Sequence, residues 1–301
     1  MRVLITGATG LVGNAVTALC LDQNIEVNYL TTSQEKIKTE INYKGFLWNP
    51  EMQTIDKRAF DGVDVIIHLA GASIAQRWTD THKKEIVASR VNTANLLFKT
   101  LASIDHTIAK FISASAIGAY PSSYTHYYKE DYPDYNAGFL GEVVEKWEQA
   151  ADQFAAINID VVKIRVGVVL AKDGGALQQL IKPIKYYAGA PLGTGEQWQS
   201  WIHIADLAGI FVFCIKNKVS GTFNAVAPNA VTNEGLTKVA AKKMGKPLFL
   251  PNVPAFALKA ALGEMADVVL ESQRVSSEHI QNEGYNFQFA YIEEALENLL
   301  K

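Results

Sequence analysis

The chain has 301 residues, 49% of them hydrophobic and 20% charged, with a net charge of −3. That length allows a fully buried sheet in one large domain or two small ones, and the absence of any Lys/Arg block argues against nucleic acid or an anionic membrane as partner. The apolar run from Ile204 to Ile215 carries Asp206 and is too short to span a bilayer.

Val3, Leu4 and Ile5 read as a short buried parallel strand. Thr6 ends it, glycines follow at Gly7, Gly10 and Gly13, and a helix is predicted from about Asn14 to Asp22. In a phosphate-binding turn the first glycine reverses the chain and the second lets backbone N–H groups reach a pyrophosphate. The third lets helix pack close on strand. The turn Gly7, Thr9, Gly10, Leu11, Val12 and Gly13 is therefore the first candidate cofactor site. Cys20 and Cys214, the only cysteines, lie in apolar helical surroundings and read as buried free thiols of a reducing cytoplasm. With no signal-peptide core at the N-terminus, a cytoplasmic location is expected. No metal site is expected.

A second strand, Glu26–Thr31, runs out into Thr32 and Ser33 with no carboxylate, and Lys36 and Lys38 lie just beyond. A carboxylate there would hold the ribose hydroxyls of NAD, whereas hydroxyls and lysines leave room for a 2′-phosphate, so NADP is expected rather than NAD. Gly45–Asn49 reads as a third strand and Val63–Leu69 as a fourth, whose end at Leu69, Ala70 and Gly71 is small enough for a cofactor to cross. A long helix from about Thr81 to Ser103 carries Arg90, and a fifth strand, Lys110–Ser115, brings Ser113, Ala114 and Ser115 to the nicotinamide position. Strand–helix alternation predicts an α/β fold, a Rossmann-type doubly wound parallel sheet with ligand over the strands' carboxyl ends.

TGATGLVG, the Leu69-Ala70-Gly71 strand end and the FISAS strand together resemble the extended short-chain dehydrogenase/reductase superfamily. Further runs resemble its atypical, sugar-nucleotide epimerase-like branch, which ends in a domain of unknown function. These are Gln76–Thr79, Ser89–Val91, Arg165–Leu170 with Asp173–Gly175, Trp201–Ile204 with Asp206, Gly263–Met265 and Gln273–Val275. The resemblance covers essentially the whole chain. It adds Arg90 and Val168 to the cofactor residues and implies a small-molecule, nucleotide-sugar-like substrate.

It also implies a helix bearing Tyr-x-x-x-Lys, in which tyrosine moves the proton and lysine lowers its pKa and holds the nicotinamide ribose. Here that helix is predicted from Phe139 to Ala155. The matched positions hold Leu140 and Val144, or Phe139 and Val143 one residue out of register. Glu142 and Lys146 read as an exposed i,i+4 pair. Ser115 matches the serine that polarises a substrate carbonyl, and Tyr120, Tyr135 and His203 are the candidate proton donors. Each of the last three reads more readily as a structural residue, the tyrosines as amphipathic edge residues and His203 as a hydrogen-bonded histidine.

A sixth strand, Val161–Arg165, leads through Val166–Leu170 to Gly174-Gly175 and a helix, Ala176–Ala188. Residues 1–170 form the expected NADP-binding domain, with 196–228 returning to its main sheet through Ser200–Asp206. Residues 171–195 and 229–301 form a smaller C-terminal α+β substrate domain. Further helices are predicted over Asn233–Met244, Pro251–Leu262 and Tyr291–Leu300. Arg77, Trp78 and Trp201 are the candidate substrate residues, because arginine suits an anion and a tryptophan face suits a sugar or ring. The reading is an NADP-dependent oxidoreductase or epimerase, monomeric or homodimeric. The alternative is a non-catalytic NADP-binding regulatory or scaffold protein.

Overall fold

Alternation along the first strand sets the two faces of the main sheet. In the computed structural model, which describes residues 1–301, β1 (Arg2–Thr6) sends Val3 and Ile5 into the core on one face and Leu4 into the core on the other. The remaining principal strands are β2 (Glu26–Thr31), β3 (Tyr43–Asn49), β4 (Val65–His68), β5 (Lys110–Ala116), β6 (Asp160–Val166), β7 (Val168–Ala171), β8 (Trp201–His203) and β9 (Gly221–Ala225). The main sheet has nine strands, and its parallel part runs β3-β2-β1-β4-β5-β6-β9. Short antiparallel segments, Thr39–Glu40 and Thr54–Ile55, flank β3. This order places the reversal of winding between β1 and β4, where doubly wound sheets bind ligands.

The principal helices are α1 (Leu11–Asp22), α2 (Asp80–Leu101), α3 (Phe139–Asp152), α4 (Gly175–Lys185), α5 (Ile204–Lys216), α6 (Asn233–Lys243), α7 (Ala255–Leu262) and α8 (Ile292–Leu299). One face of the sheet is covered by α1 and α5 through Val16, Leu207 and Phe211, and the other takes Leu96, Leu97 and Ala151 from α2 and α3. Cys20 and Cys214 are buried free thiols on the first of these faces, and burial pushes each up to about 12. Lys110 is also buried. It donates Nζ to the carbonyls of Cys214 (2.8 Å) and Asn217 (2.6 Å), capping the C-terminus of α5. No helix is long and apolar enough to cross a membrane.

The helix α1 starts at Leu11, earlier than Asn14, because Gly10 is extended and serves as its N-cap. Gly13 therefore falls in the first turn, where a Cβ would lie 2.1 Å from the Gly7 carbonyl oxygen. The other difference lies at Gly167. Up to Val166 the chain pairs with β9. Beyond it, Val168–Leu170 pairs with Trp201–His203 in a separate two-stranded parallel sheet. A Cβ on Gly167 would meet the Ser200 carbonyl oxygen at 2.3 Å, so its absence permits the exchange of partners. Ser200–Asp206 accordingly does not join the main sheet; α5 and β9 make the return.

A second core gathers Leu170, Leu177, Trp201, Leu236, Ile292 and Leu296. The stretch 263–285 packs elsewhere, on the large sheet and its helices. Met265 and Val268 meet Trp78 and Val143, Val275 joins Tyr120 and Tyr128, and Ile280 and Tyr285 enter the main core. Asp206 is fully buried near the start of α5. Its carboxylate accepts from the Gln288 and Phe289 amides at 2.8 and 2.9 Å and from the Tyr285 hydroxyl at 3.0 Å.

Gly13→Ala is expected to destabilise the fold by about 3 kcal/mol or more, because the clash is with backbone and no side chain can yield. Denaturant unfolding of the two proteins would check it, and an unchanged midpoint would contradict the packing of α1 on β1.

Candidate functional site at the carboxyl edge of the sheet

Gly7 has φ +70°, and a Cβ there would stand 2.8 Å from the Leu69 carbonyl carbon. A side chain at this point is therefore excluded twice, by conformation and by space. The Gly10 amide closes the turn on the Gly7 carbonyl at 3.0 Å, and the first helical bond runs from Asn14 to Gly10 at 2.8 Å. No side chain caps α1 and no acid lies in its first turn. The Leu11, Val12 and Gly13 amides thus begin a helix without a side-chain acceptor, beside the exposed Thr9 and Gly10. Leu11 also touches the Gly174-Gly175 turn, whose lack of side chains lets it lie against the helix start.

A buried relay fixes the neighbouring strand end. Thr6 Oγ1 accepts from the Leu69 and Ala70 amides, both at 3.1 Å, and lies 2.8 Å from His68 Nδ1. With its lone pairs taken, the hydroxyl donates its proton to Nδ1. His68 Nε2 therefore carries the ring proton and donates to Thr93 Oγ1 at 3.2 Å, which itself bonds the Ser89 carbonyl at 2.6 Å. Burial lowers the His68 pKa to about 4 and keeps the ring neutral.

At the other end of the crevice, β2 finishes in Thr31, whose Oγ1 accepts from the Ser33 amide at 3.2 Å. Thr32, Lys36 and Lys38 are exposed there, and no carboxylate ends the strand. On the β4 side, Arg90 of α2 lies against Gly71, where a Cβ would be 3.0 Å from its Cζ. Its Nη1 donates to the Ile86 and Ala72 carbonyls at 2.9 and 3.2 Å, and its Cζ stands 4.8 Å from the centre of the Trp147 ring. Arg90 has no acidic partner, its Nε is buried without an acceptor, and burial lowers its pKa to about 10.

The β5 residues are more enclosed than the sequence suggests. Ser113 is buried, with its hydroxyl on the Ala114 carbonyl at 2.8 Å, and Ala114 is buried beside it. Ser115 is 2% exposed and donates Oγ to Glu148 Oε1 at 2.6 Å. Glu148 also takes Nε and Nη2 of Arg165, at 2.8 and 2.9 Å, and the Tyr135 hydroxyl at 2.8 Å. Arg165 Nη1 donates to the Tyr120 hydroxyl at 2.9 Å, which in turn donates to Asn224 Oδ1 at 2.8 Å. Burial would raise the Glu148 pKa, but Arg165, Ser115 and Tyr135 hold it below the usual carboxylate range. Burial raises Tyr120 to about 12 and raises Tyr135 as well.

The structure encloses several of the residues expected at the site. Ser115 spends its proton on a carboxylate beneath the site. Tyr120, 1% exposed, is locked between Arg165 and Asn224. His203 caps α5, accepting the Ala205 amide on Nδ1 at 3.0 Å, and stacks on Phe289 at 3.9 Å. Trp201 is fully buried in the second core, and Trp78 is buried edge-on against Phe139, so neither offers a face to a ligand. Arg77 is exposed beside Gly263 and makes no ion pair. Val168 is half-buried where β7 begins.

In α3, Leu140 lies against Gly118, and Val143 and Val144 are buried, so neither register supplies a proton donor. The Glu148–Arg165 pair escaped the sequence reading, although Glu148 lies four residues after Val144 on the apolar stripe of α3, and that spacing is a signal. Glu271 escaped it too. Its carboxylate receives Asn136 Nδ2 at 3.1 Å, just before α3, and burial raises its pKa.

A parallel sheet reversing its winding beside an uncapped, glycine-lined helix start defines a Rossmann-type nucleotide-binding protein. Residues 3–226 match the NAD dependent epimerase/dehydratase family, and residues 253–299 match a domain of unknown function, DUF1731. The chain belongs to that epimerase/dehydratase family. It is 34% identical over 299 residues to an epimerase family protein of Staphylococcus haemolyticus, covering 99% of this chain and 98% of that protein. The crystal structure of the human epimerase family protein SDR39U1 with NADPH superposes with a TM-score of 0.86 at 31% identity, covering 99% of each chain. The nucleoside-diphosphate sugar epimerase of Corynebacterium glutamicum superposes at 0.80 with 30% identity, over 100% of this chain and 58% of that one. UDP-glucuronic acid 4-epimerase of Bacillus cereus, in complex with UDP-glucuronic acid and NAD, shares the fold at 16% identity, a TM-score of 0.78 and coverage of 99% and 97%.

Two outcomes follow from the buried groups. An unfolded His68 takes its proton near its usual pKa of 6.5 and the folded one only near 4. Its share of stability is therefore whole above about pH 6.5 and falls as pH drops towards 4. His68→Gln should flatten the unfolding midpoint across that interval relative to wild type, and an identical pH profile would contradict the buried neutral ring. Glu148→Ala should cost about 3–5 kcal/mol, because it leaves Arg165 buried without a counter-charge. Thermal and denaturant unfolding would show it.

Proposed function

We propose that the protein binds NADP(H) across the carboxyl ends of β1, β4 and β5 and acts as an atypical oxidoreductase or epimerase on a small anionic, nucleotide-sugar-like substrate. The observation that carries this reading is the bare start of α1, held against the Gly7 turn with its amides free of any side-chain acceptor. Gly7, Thr9, Gly10, Leu11, Val12 and Gly13 would receive the pyrophosphate. Thr32 and Ser33, with Lys36 and Lys38 nearby, would receive the 2′-phosphate, and Leu69, Ala70 and Gly71 would lie beneath the cofactor. The NADPH of the human relative supports the choice of NADP, and the sugar nucleotide of the Bacillus enzyme supports the substrate class. A bound nicotinamide would give or accept hydride.

On the chain's side, Arg77 is the exposed cation for a substrate anion. The Glu148–Arg165 network keeps the floor of the site rigid and keeps its charge balanced. The protein is cytoplasmic in this reading, and monomeric or homodimeric. A second reading, a cofactor-binding protein without turnover, is favoured by one observation: Leu140 and Val144 replace the proton-moving pair while Ser115 gives its proton to Glu148.

Gly10→Asp separates binding from folding. Aspartate is a favoured N-cap and Gly10 is already extended (φ −84°), so the fold should keep or gain stability. The same carboxylate would sit where the pyrophosphate is to lie. Calorimetry is expected to show NADPH bound more tightly than NADH by wild type, and NADPH affinity lowered at least about 100-fold in the variant. Tighter NADH would overturn the cofactor choice, and undiminished binding in the variant would overturn the site. Turnover of a sugar-nucleotide panel by wild type would decide between the two readings.

A further inference from the structure

Residues 174–195 and 235–263 carry seven lysines and no acid, in a chain whose net charge is −3. Lys238 and Lys243 are paired with Glu234 and Glu297. Lys182, Lys185, Lys242, Lys246 and Lys259 make no ion pair. Lys182 and Lys259 stand far apart in the chain, so no basic run marks the group in the sequence. The fold brings the two stretches side by side. The Val253 amide donates to the Pro191 carbonyl at 2.8 Å, and the Gly193 amide to the Val253 carbonyl at 2.9 Å. A Cβ on Gly189 would lie 3.0 Å from a Leu248 methyl. Lys246 reaches back to Tyr187, donating Nζ to its hydroxyl at 2.9 Å, 4.1 Å from the ring centre.

Apolar side chains project from the same two stretches. Of the twelve large hydrophobic side chains that the protein exposes, five are here: Tyr186, Tyr187, Phe249, Leu250 and Phe256. Phe256 is 77% exposed, Tyr186 70% and Phe249 65%. Phe256 belongs to α7, where seven of eight residues are apolar and none is buried. By contrast α8, of the same length, buries Ile292, Ala295, Leu296 and Leu299. Tyr187 adds a backbone cost. Its φ is +60°, the left-handed conformation after α4 that glycine normally fills. Its ring is half-exposed, so burial does not offset that cost.

We propose that this edge of the smaller domain, built from the ends of α4 and α6 and from α7, docks the protein on an anionic lipid surface. Projecting phenyl, phenol and leucine side chains enter the boundary layer of a bilayer. Lysines beside them reach headgroup phosphates while their stems stay on apolar surface, as Lys246 already does on Tyr187. The charges select this partner over others. A second copy would set lysines against lysines across a two-fold axis. A nucleic acid would use the rings and the charges but leave Leu250 and the aliphatic residues of α7 in water. The surface shares no residue with those given to cofactor or substrate, so the proposal stands apart from the reading of the sheet edge.

The test is co-sedimentation of the full-length protein with vesicles at about 0.1 M salt. Vesicles of phosphatidylcholine alone are compared with vesicles containing roughly one third phosphatidylglycerol. Wild type is expected to bind the anionic vesicles at least about tenfold more tightly than the neutral ones, and less tightly as salt rises. Lys182→Glu/Lys185→Glu should lose about tenfold or more, and Phe256→Ser several-fold. Lys84→Glu/Lys99→Glu changes the net charge equally from the exposed side of α2 and should stay within about twofold. All three replacements are at exposed positions, and unchanged unfolding midpoints would show that each variant folds. Equal binding to both vesicles, no binding to either, or an equal loss in the α2 variant would overturn the proposal. So would an oligonucleotide bound in place of vesicles, or self-association that Phe256→Ser abolishes.

Discussion

The close approach of α1 to the end of β1 governs the rest of the molecule. Only hydrogen occupies the space between Gly13 and the Gly7 carbonyl, so the helix begins directly on the strand's turn and its first amides stay clear of side chains. From there the geometry propagates through polar contacts. Thr6 binds the amides of Leu69 and Ala70, His68 ties Thr6 to Thr93, and Thr93 bonds back to its own helix α2. One chain of hydrogen bonds thus sets where β1, β4 and α2 stand relative to one another at the carboxyl edge of the sheet. Thr6, His68 and Thr93 are buried, so loss of one of these side chains would leave an unsatisfied polar group with no water to replace it.

Beneath that edge, charge is paired internally. The helix that would carry Tyr-x-x-x-Lys is apolar at both positions, and one turn further along it carries a buried glutamate instead. Glu148 is complete as a structural unit, with Arg165, Ser115 and Tyr135 filling its oxygens. The network engages the hydroxyls of Ser115, Tyr120 and Tyr135, the groups from which the sequence offers a proton. The C-terminal stretch closes over the same region: Glu271 meets Asn136 before α3, and Lys83 pairs with Glu264 across the start of α2.

Much of this was legible in the sequence. Apolar runs ending in small residues marked β1, β4 and β5, because a strand buried on both faces has no alternation to hide it. Glycine spacing marked the tight turn after β1, and the hydroxyl-rich end of β2 could be read directly from Thr31, Thr32 and Ser33. Less legible were features set by partners distant in the chain. His203 and Trp201 look like site residues when taken alone, yet Phe289 and the second core claim them. The strand exchange at Gly167 depends on Ser200, thirty-three positions away along the chain. Glu148 could have been read as buried from its place on the apolar stripe of α3, but its partner Arg165 sits on β6 and no local pattern joins the two.

The buried carboxylate of Asp206 bears on how the protein is made. Its oxygens are satisfied by Tyr285, Gln288 and Phe289, which leave the ribosome long after α5 itself. Until the last stretch of polypeptide emerges, the carboxylate at the head of α5 stays in water, so this end of the helix is sealed only when a nearly finished chain is released. A nascent polypeptide halted before residue 285 would leave Phe213 without the Tyr285 ring that packs on it.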